Sequence, residues 1–328
     1  LISGGAGNDQ IDSGDDADTV SGGDGDDTIV NTGGSDSIDG GAGNDSVTGA
    51  DIQETISGGD GDDVIFGGGG NDVIDGGAGN DAITAGDGVD TVSGNAGNDT
   101  IVNIGGTDSL DGGAGNDIIS GSAADETLSG GADDDTLSGG GGNDVLDGGD
   151  GNDVITAGSG VDTVLGGSGD DTIVNEGGAD NVSGGDGNDV ITGSGTAETI
   201  DGGAGDDTIS GGGGTDSIDG GDGNDQITGG NNAETIDGGA GDDLISGGSG
   251  DDSIAAGSGN DTIDGGAGAD SIVGSLDDLD GDSITGFDPD EGDLVIANAS
   301  FGDDAVTLTY SDGITTVSID ADGNGSAD

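Results

Sequence analysis

The sequence predicts an all-β solenoid, because a nine-residue pattern repeats from Gly4 to Val273 without insertion or deletion. The pattern is GGxGxDxUx, where U is a large aliphatic residue, and this stretch holds thirty consecutive copies. The sixth place is acidic in every copy, and the eighth is Ile, Val or Leu. A short fixed period of this kind is typical of solenoids, in which each repeat packs only against its neighbours.

Each place in the repeat has a predicted role. Places seven to nine, for example Thr28, Ile29 and Val30, are expected to form a short strand with the central side chain inward. Glycine at places one, two and four is expected to adopt positive φ, so that the turn is tight and its carbonyls face an ion. The acid at place six adds a hard anionic oxygen, and Ca²⁺ takes six to eight oxygen ligands. The chain contains no Cys or His, which favours calcium over zinc or copper.

The charge balance gives a second argument for a bound cation. The chain has 72 acidic residues and no Lys, Arg or His. Stacked place-six carboxylates would lie about 4.8 Å apart, and each such pair would repel by roughly 3 kcal/mol at an effective dielectric of about 20. Their sum exceeds a usual net stability of about 5–15 kcal/mol. Disorder is the alternative for such a composition, but a disordered chain has no need of strict register. We therefore expect the chain to fold only with calcium.

The stretch 4–273 resembles the RTX repeats of proteins exported by type I secretion, a class that includes bacterial surface-layer proteins. The resemblance implies a right-handed parallel β-roll in which two nonapeptides form one coil and calcium lies between the glycine turns of successive coils. Thirty repeats then give about fifteen coils of two nonapeptides each. We expect residues 1–273 to form this β-roll.

The two-repeat coil places odd-numbered repeats along one edge of the roll, the odd edge, and even-numbered repeats along the other, the even edge. Odd repeats stay near the consensus, and the place-six acids of this edge are the main candidate calcium ligands. These are Asp9, Asp27, Asp45, Asp63, Asp81, Asp99, Asp117, Asp135, Asp153, Asp171, Asp189, Asp207, Asp225, Asp243 and Asp261. The even edge contributes fewer candidates. These are Asp72, Asp144, Asp216, Asp252 and Asp270.

The even edge departs from the consensus at several turns. All four Glu residues at place six fall there, and glycine is missing at place four of the same repeats; the four are Glu54, Glu126, Glu198 and Glu234. We predict one unbroken calcium file of up to about fourteen ions on the odd edge and a patchy even edge. The interruptions are expected near Asn31, Asp51, Asn103, Ala124, Asn175 and Thr196. The alternative is that both files are full, with up to about 28 ions in the roll.

A longer period of eight nonapeptides overlies the basic repeat, since the segment 85–117 recurs as 157–189. Duplication of a four-coil block explains this without function. The alternative is a surface feature repeated every four coils, at which a lattice neighbour or a glycan binds.

The repeat phase ends at Gly274, and residues 274–328 are predicted to form a small antiparallel β cap. Ile284 arrives three residues later than the phase requires, and alternating apolar residues on either side of Asp312-Gly313 predict a hairpin. This segment resembles the C-terminal cap of RTX proteins. Its last residues place oxygen side chains at alternate positions, which suggests a further Ca²⁺ site at Asp320, Asp322 and Asn324. Leu1-Ile2-Ser3 continues the repeat phase backwards, so we expect the chain to continue beyond both ends of 1–328.

Several function classes conflict with the composition. The chain has no His, Lys, Arg or Cys for a catalytic pair, a Schiff base or a thiolate, so we expect no enzyme. Its negative charge excludes nucleic acid as a partner, and no apolar run reaches the roughly 18 residues of a membrane span. Odd strands place Thr, Val and Phe66 outward, and this face is a candidate docking surface.

The favoured interpretation is an extracellular calcium-binding structural protein of a bacterial cell surface, of surface-layer or surface-array type, which folds on Ca²⁺ binding after secretion. Its partners would be calcium ions together with other copies of itself or a cell-surface glycan or lipopolysaccharide. The alternative is a C-terminal secretion and folding module of a type I secreted enzyme, toxin or adhesin. An ice-binding role ranks last, because place three is Ala, Asp, Ser or Gly and forms no Thr ladder.

Overall fold

The computed structural model describes residues 1–275, 278–279, 281–288, 292–297, 305–311 and 314–320. All the regular secondary structure in these ranges consists of β-strands. The chain divides into two compact units, Leu1–Gly167 and Ser168–Asp328. Each unit is a parallel β-solenoid with two sheets, one built on the even repeats and one on the odd repeats.

Twenty strands begin in the first unit. They are β1 Ile2–Ala6, β2 Gln10–Asp12, β3 Thr19–Asp24, β4 Thr28–Val30, β5 Ser37–Ala42, β6 Ser46–Thr48, β7 Thr55–Asp60, β8 Val64–Gly70, β9 Val73–Ala78, β10 Ala82–Gly88, β11 Thr91–Ala96, β12 Thr100–Val102, β13 Gly105–Gly106, β14 Ser109–Ala114, β15 Ile118–Ser120, β16 Thr127–Ala132, β17 Thr136–Ser138, β18 Val145–Asp150, β19 Val154–Thr156 and β20 Thr163–Ser168.

The second unit continues with the same alternation of sheets and ends in a hairpin. Its strands are β21 Thr172–Val174, β22 Asn181–Asp186, β23 Val190–Thr192, β24 Thr199–Ala204, β25 Thr208–Gly212, β26 Ser217–Asp222, β27 Gln226–Gly230, β28 Thr235–Ala240, β29 Leu244–Ser249, β30 Ser253–Ala255, β31 Thr262–Ala267, β32 Ser271–Gly274, β33 Ser283–Thr285, β34 Leu294–Ala297, β35 Ala305–Ser311 and β36 Ile314–Asp320.

The strand register confirms that two nonapeptides make one coil. β4 pairs in parallel with β6 so that Ile29 lies opposite Val47, which stands two nonapeptides further along the chain. In the second unit β24 pairs with β26 in the same way, with Ile200 opposite Ile218. Residues one coil apart therefore stack directly, and any feature of the repeat becomes a column along the solenoid.

The core is a stack of the place-eight aliphatic side chains, as predicted. All of them from Ile11 to Ile272 are buried, while their neighbours at places seven and nine face outward or are half-buried. Since side chains alternate between the two faces of a strand, one inward side chain per short strand is what the pattern requires. Removing these aliphatics from water is the main apolar contribution to folding.

The strands of the even-repeat sheet and of the odd-repeat sheet differ in their usual length. The even-repeat strands commonly run on for six residues, because the Gly-Gly pair that opens the next odd repeat also joins the sheet, as in β3 and β5. The odd-repeat strands β4, β12 and β21 stop at three residues, directly before Asn31, Asn103 and Asn175. β8 and β29 continue into the Gly-Gly pair of an even repeat and are longer, whereas β17 ends directly before such a pair.

The glycines have two different roles, and the prediction of positive φ was right for only two of the three places. Place-two and place-four glycines such as Gly41 and Gly43 have φ of 114° and 128°. Where other residues stand at these places on the odd edge, Asn95 and Asp133 take φ of 74° and 78°. Place-one glycines such as Gly40 are absent from the positive-φ set. They are required for space, because a Cβ on Gly40 would lie 2.5 Å from Asp45 Oδ2.

The parallel solenoid extends one coil beyond the end of the nonapeptide phase. β33 pairs with β31 and places Ile284 opposite Ile263. β34 pairs with β32, with Val295 opposite Ile272. Ile284 and the preceding Leu279 are buried. The insertion after Gly274 therefore lengthens a turn, and the aliphatic position that arrives late still enters the core.

The predicted C-terminal hairpin is present. β35 and β36 are antiparallel, with Val306 opposite Ile319 and Leu308 opposite Val317. Both strands lie in the second unit, and β36 contacts β33 of the last coil. The turn residues Asp312 and Gly313 lie outside the described residues.

The place-two glycines should be the least replaceable residues of the roll. A Cβ on Gly59, where φ is 114°, would overlap the carbonyl oxygen of Gly41. Backbone strain and overlap together predict that Gly59→Ala lowers the free energy of unfolding by about 3 kcal/mol or more. The matched control is Gly195→Ala, since nothing lies within 4 Å of its added Cβ. Denaturant unfolding in saturating calcium should show a change below about 0.5 kcal/mol for the control. Equal losses in both variants would contradict this view of the turn.

Candidate calcium sites along the solenoid edges

The place-six acids form a buried column on each edge. From Asp27 to Asp270 every one of them is buried, although carboxylates rarely lose all contact with water unless they are paired. Asp9, in the first coil, is half-buried. Within each unit and on each edge, the place-six acids from Asp27 to Asp270 therefore occupy equivalent buried positions one coil apart.

In most odd-edge carboxylates one oxygen accepts a backbone N–H and the other is buried without a donor. Asp45 Oδ1 accepts the backbone N–H of Asp27 at 2.7 Å, and Asp63 Oδ1 accepts that of Asp45 at 2.7 Å. In the second unit Asp207 Oδ1 accepts the N–H of Asp189 at 2.7 Å. The Oδ2 atoms of these acids are buried and accept no hydrogen bond from the described residues.

The unpartnered oxygen faces a carbonyl group of the next coil. A Cβ placed on Gly40 would lie 2.5 Å from Asp45 Oδ2 and 2.5 Å from the carbonyl oxygen of Gly58. A Cβ placed on Gly76 would lie 2.5 Å from Asp81 Oδ2 and 2.9 Å from the carbonyl oxygen of Gly94. Each place-one glycine thus leaves a small space lined by a carboxylate oxygen and a carbonyl oxygen. We call this space the cradle.

A cradle of this composition fits a hard cation. Both lining atoms are oxygens with negative charge, and the chain has no basic side chain to neutralise them. Ca²⁺ accepts both carboxylate and carbonyl oxygens in flexible geometry. Across the described ranges no group of three or more acidic side chains converges as a conventional metal cluster would. Each site would therefore draw one carboxylate and several backbone carbonyls, which explains why the motif needs glycine as much as aspartate.

Burial makes the charged state of these acids unfavourable. It raises the pKa of Asp63 and Asp135 from 3.8 to about 7, with like-charged neighbours one coil away adding to the effect. The same cause raises the pKa of Asp81 and Asp117 to about 6. Backbone N–H donors oppose the shift but do not cancel it. Without a cation, these four carboxyl groups would take up protons as the pH falls through about 7 to 6.

Part of the even edge keeps the same geometry. A Cβ on Gly211 would lie 2.8 Å from Asp216 Oδ2 and 2.7 Å from the carbonyl oxygen of Gly229. The even-edge candidates Asp72, Asp144 and Asp252 also lie beside a place-one glycine and a carbonyl of the next coil, and Asp270 lies beside Gly265. Six other even repeats have Asn, Ala or Ser in place of this glycine, whereas the four repeats with Glu at place six keep it. The number of ions on each edge stays a prediction.

Two further acids, which the repeat phase did not predict, join the columns of place-six acids. Asp282 Oδ1 accepts the N–H of Asp261 at 2.9 Å, and its Oδ2 is buried without a donor. Asp293 Oδ1 accepts the N–H of Asp270 at 2.9 Å. The signal was present in the sequence, because both stand two places before a large aliphatic residue, as every place-six acid does. Of the predicted C-terminal site, Asp320 ends β36, while Asp322 and Asn324 lie outside the described residues.

An exposed second column accompanies the odd edge at place five. In this column every Asp has Asn in the coils before and after it, so that no two Asp residues occupy place five in successive coils. Asn44 donates its N–H to Asp26 Oδ1 at 3.1 Å, and Asp62 donates its own to Asn44 Oδ1 at 3.1 Å. In the second unit, the backbone and side chain of Asn260 hold the pKa of Asp242 below its ordinary 3.8. Even repeats lack most of this column.

These shifts predict a pH-dependent fold when calcium is absent. Folding raises the pKa of buried place-six acids such as Asp63 and Asp81, so protons on them stabilise the folded chain below about pH 4, and this contribution is lost as pH rises through about 6 to 7. In EDTA, far-UV circular dichroism should show β structure near pH 4 and none near pH 8, with light scattering to exclude aggregates. A calcium-saturated sample at pH 8 is the control and should remain folded. A signal in EDTA that does not change with pH would contradict the burial of these acids.

Comparison with known proteins identifies the repeat. The family model described as RTX calcium-binding nonapeptide repeat (4 copies) matches residues 1–29, 30–51, 53–83, 67–101, 104–137, 138–173, 174–209, 192–227, 228–263 and 246–278. No curated protein matches the chain. The crystal structure of a hyperactive, Ca²⁺-dependent, β-helical antifreeze protein from an Antarctic bacterium is similar at 24% identity and a TM-score of 0.38, covering 81% of this chain and 84% of that one. No helix in the described part of the chain is long and apolar enough to cross a membrane. The repeats cover most of the sequence, and the chain belongs to the family of RTX calcium-binding nonapeptide repeat proteins.

Proposed function

We propose that this chain is an extracellular structural protein, of surface-layer or surface-array type, that folds when it binds Ca²⁺ after secretion. The observation that supports this most directly is the column of buried carboxylate oxygens that have no hydrogen-bond donor. An uncompensated buried charge costs several kcal/mol. The folded chain must therefore acquire positive charge from outside itself.

Dependence on calcium places the folded state where calcium is abundant. Extracellular modules bind calcium at about 10⁻⁴–10⁻³ M, well above the range of cytosolic sensors. A chain with these sites would stay unfolded in a cytosol poor in calcium, which suits threading through an exporter, and would fold outside. Secretion by a type I system is consistent with this order of events.

A structural role accounts for the regularity of the solenoid better than catalysis does. The acids that could act as catalytic pairs stand at the cradles, in the place-five column or at solvent-facing positions such as Asp39. The chain offers no His, Lys, Arg or Cys to assist them. What the repeat provides instead is a uniform surface whose features recur once in every coil.

One face of this surface is suited to contact with a second copy of the chain. Between Thr28 and Thr156 the outward places seven and nine of the odd-repeat sheet contain no acid. Its exposed side chains include Phe66, Val102 and Ile118. The even-repeat sheet of the same unit instead places an Asp outward in every second coil, beginning at Asp39. In a protein with so much negative charge, the uncharged sheet is where two copies can approach with least repulsion.

Substitution on this face should separate assembly from folding. Phe66, 47% exposed on the uncharged sheet, is compared with Val73, 46% exposed on the acidic sheet. We expect Phe66→Asp to lower the affinity of self-association at least tenfold in sedimentation velocity experiments in calcium, because it buries a charge in the contact. Val73→Asp should change it less than about threefold. Both variants should keep the circular dichroism spectrum of the wild type.

The same experiment distinguishes the alternative function. A wild-type chain that folds in calcium but sediments as a monomer at all concentrations would favour an export and folding module attached to an enzyme, toxin or adhesin. Assemblies that respond equally to both substitutions would show that the contact lies elsewhere. Electron microscopy of the wild-type assemblies should show a regular array if the surface-layer role is correct.

A further inference from the structure

One place-six acid on the even edge differs from its neighbours. Every place-six acid from Asp27 to Asp144 except Glu126 has one buried carboxylate oxygen without a hydrogen bond. Both carboxylate oxygens of Glu126 accept hydrogen bonds. Its exposed fraction is 3%, so the carboxylate is not satisfied by bulk water. The protein itself must supply the donors.

Three donors surround this carboxylate. Asn103 Nδ2 donates to Glu126 Oε1 at 3.1 Å, Ser122 Oγ donates to the same oxygen at 2.5 Å, and the Ser122 N–H donates to Oε2 at 3.2 Å. The orientation of the Asn103 amide follows from its other contacts, since its Oδ1 accepts the N–H of Gly105 at 2.9 Å. The nitrogen therefore faces the glutamate.

Asn103 also fills the space that a cation would use. It stands at place one of the preceding even repeat, whose own place-six acid is Asp108, where consensus repeats have glycine and an open cradle. Its side chain begins at the point that a carboxylate and a carbonyl oxygen share in those repeats. Its amide nitrogen lies 3.5 Å from the carbonyl oxygen of Gly106, an oxygen of the same turn. An amide N–H donor thus faces oxygens of the kind that elsewhere bind a cation, and an amide nitrogen is not a ligand for Ca²⁺.

We propose that the Glu126 turn is a calcium-free turn, closed by hydrogen bonds from Asn103 and Ser122 in place of an ion. The additional methylene of Glu126, compared with Asp, extends the carboxylate toward these three donors. The even-edge calcium file is interrupted at this coil. The inference rests on the proposed function, in which calcium occupies the cradles of the other turns.

The related turn four coils earlier shows which contact completes the network. Asn31 Nδ2 donates to Glu54 Oε1 at 3.1 Å, as Asn103 does to Glu126. At the position equivalent to Ser122 the chain has Ala50, and Glu54 Oε2 remains buried without a hydrogen bond. The serine therefore distinguishes the closed turn from the incomplete one, and the proposal is limited to Glu126.

Removal of the charge at single positions tests this. Bound calcium would be counted by native mass spectrometry at saturating calcium for the wild type, for Glu126→Gln and for Asp144→Asn. Asp144 is the matched control, because it is the next place-six acid on the same edge and its repeat opens with glycine, as that of Glu126 does, but its Oδ2 accepts no hydrogen bond. We expect Glu126→Gln to bind as many ions as the wild type and Asp144→Asn to bind one fewer.

The possible failures have different meanings. Loss of an ion in Glu126→Gln, or failure of this variant to fold in saturating calcium, would overturn the calcium-free turn and leave the proposed function standing. A wild-type chain that binds no calcium would overturn the proposed function first. Anomalous diffraction from wild-type crystals grown in calcium needs no variant. It should show an ion beside Asp144 and along the odd edge and none beside Glu126, and an ion beside Glu126 would contradict the proposal.

Discussion

Buried carboxylate oxygens without hydrogen-bond donors are the constraint on which the rest of this structure depends. The strand register stacks one such oxygen per coil on the odd edge, and the backbone N–H of the previous coil can reach only the other oxygen of the group. A chain without basic residues has two ways to satisfy these atoms, a proton or an external cation. Protons suffice only in acid, so at neutral pH the cation becomes part of the folded protein.

The same constraint explains the composition of the turns. A place-one side chain would fill the space between the carboxylate and the carbonyl oxygen, as the contacts around Gly40 show. Places two and four need glycine for a different reason, which is positive φ. The exposed place-five column adds hydrogen bonds between coils without adding stacked charge, because Asn separates the Asp residues. Along the odd edge, negative charge is therefore stacked where a cation can bind and is interrupted in the place-five column.

The sequence predicted those features that repeat from coil to coil. The nonapeptide period predicted the inward aliphatics from Ile11 to Ile272, because side chains alternate between the two faces of a strand. The parallel register and the stacking of the place-six acids followed from the two-repeat coil that the resemblance to RTX repeats implies. Alternation of apolar residues also predicted the hairpin of β35 and β36. The delayed Ile284 was recognised, but the coil that it builds was not, because the length of a turn does not show whether the strands after it still pair.

Features that depend on contacts between coils could not be obtained from the repeat alone. The role of Gly40 depends on an oxygen from the next coil, and the sequence does not show which atoms face each other across that gap. The network of Glu126 joins side chains from different coils. Glu at place six marked this turn as unusual, but only the structure shows that an amide and a hydroxyl meet the carboxylate there.

Far-UV circular dichroism and thermal unfolding of the same chain at pH 8, in EDTA and in millimolar calcium, test the central claim most directly. If cations are integral to the fold, the β spectrum and a cooperative melting transition should appear only with calcium. Magnesium at the same concentration is a suitable control, since it demands a near-ideal octahedral site and dehydrates reluctantly. An identical β spectrum and melting temperature in EDTA would contradict the account.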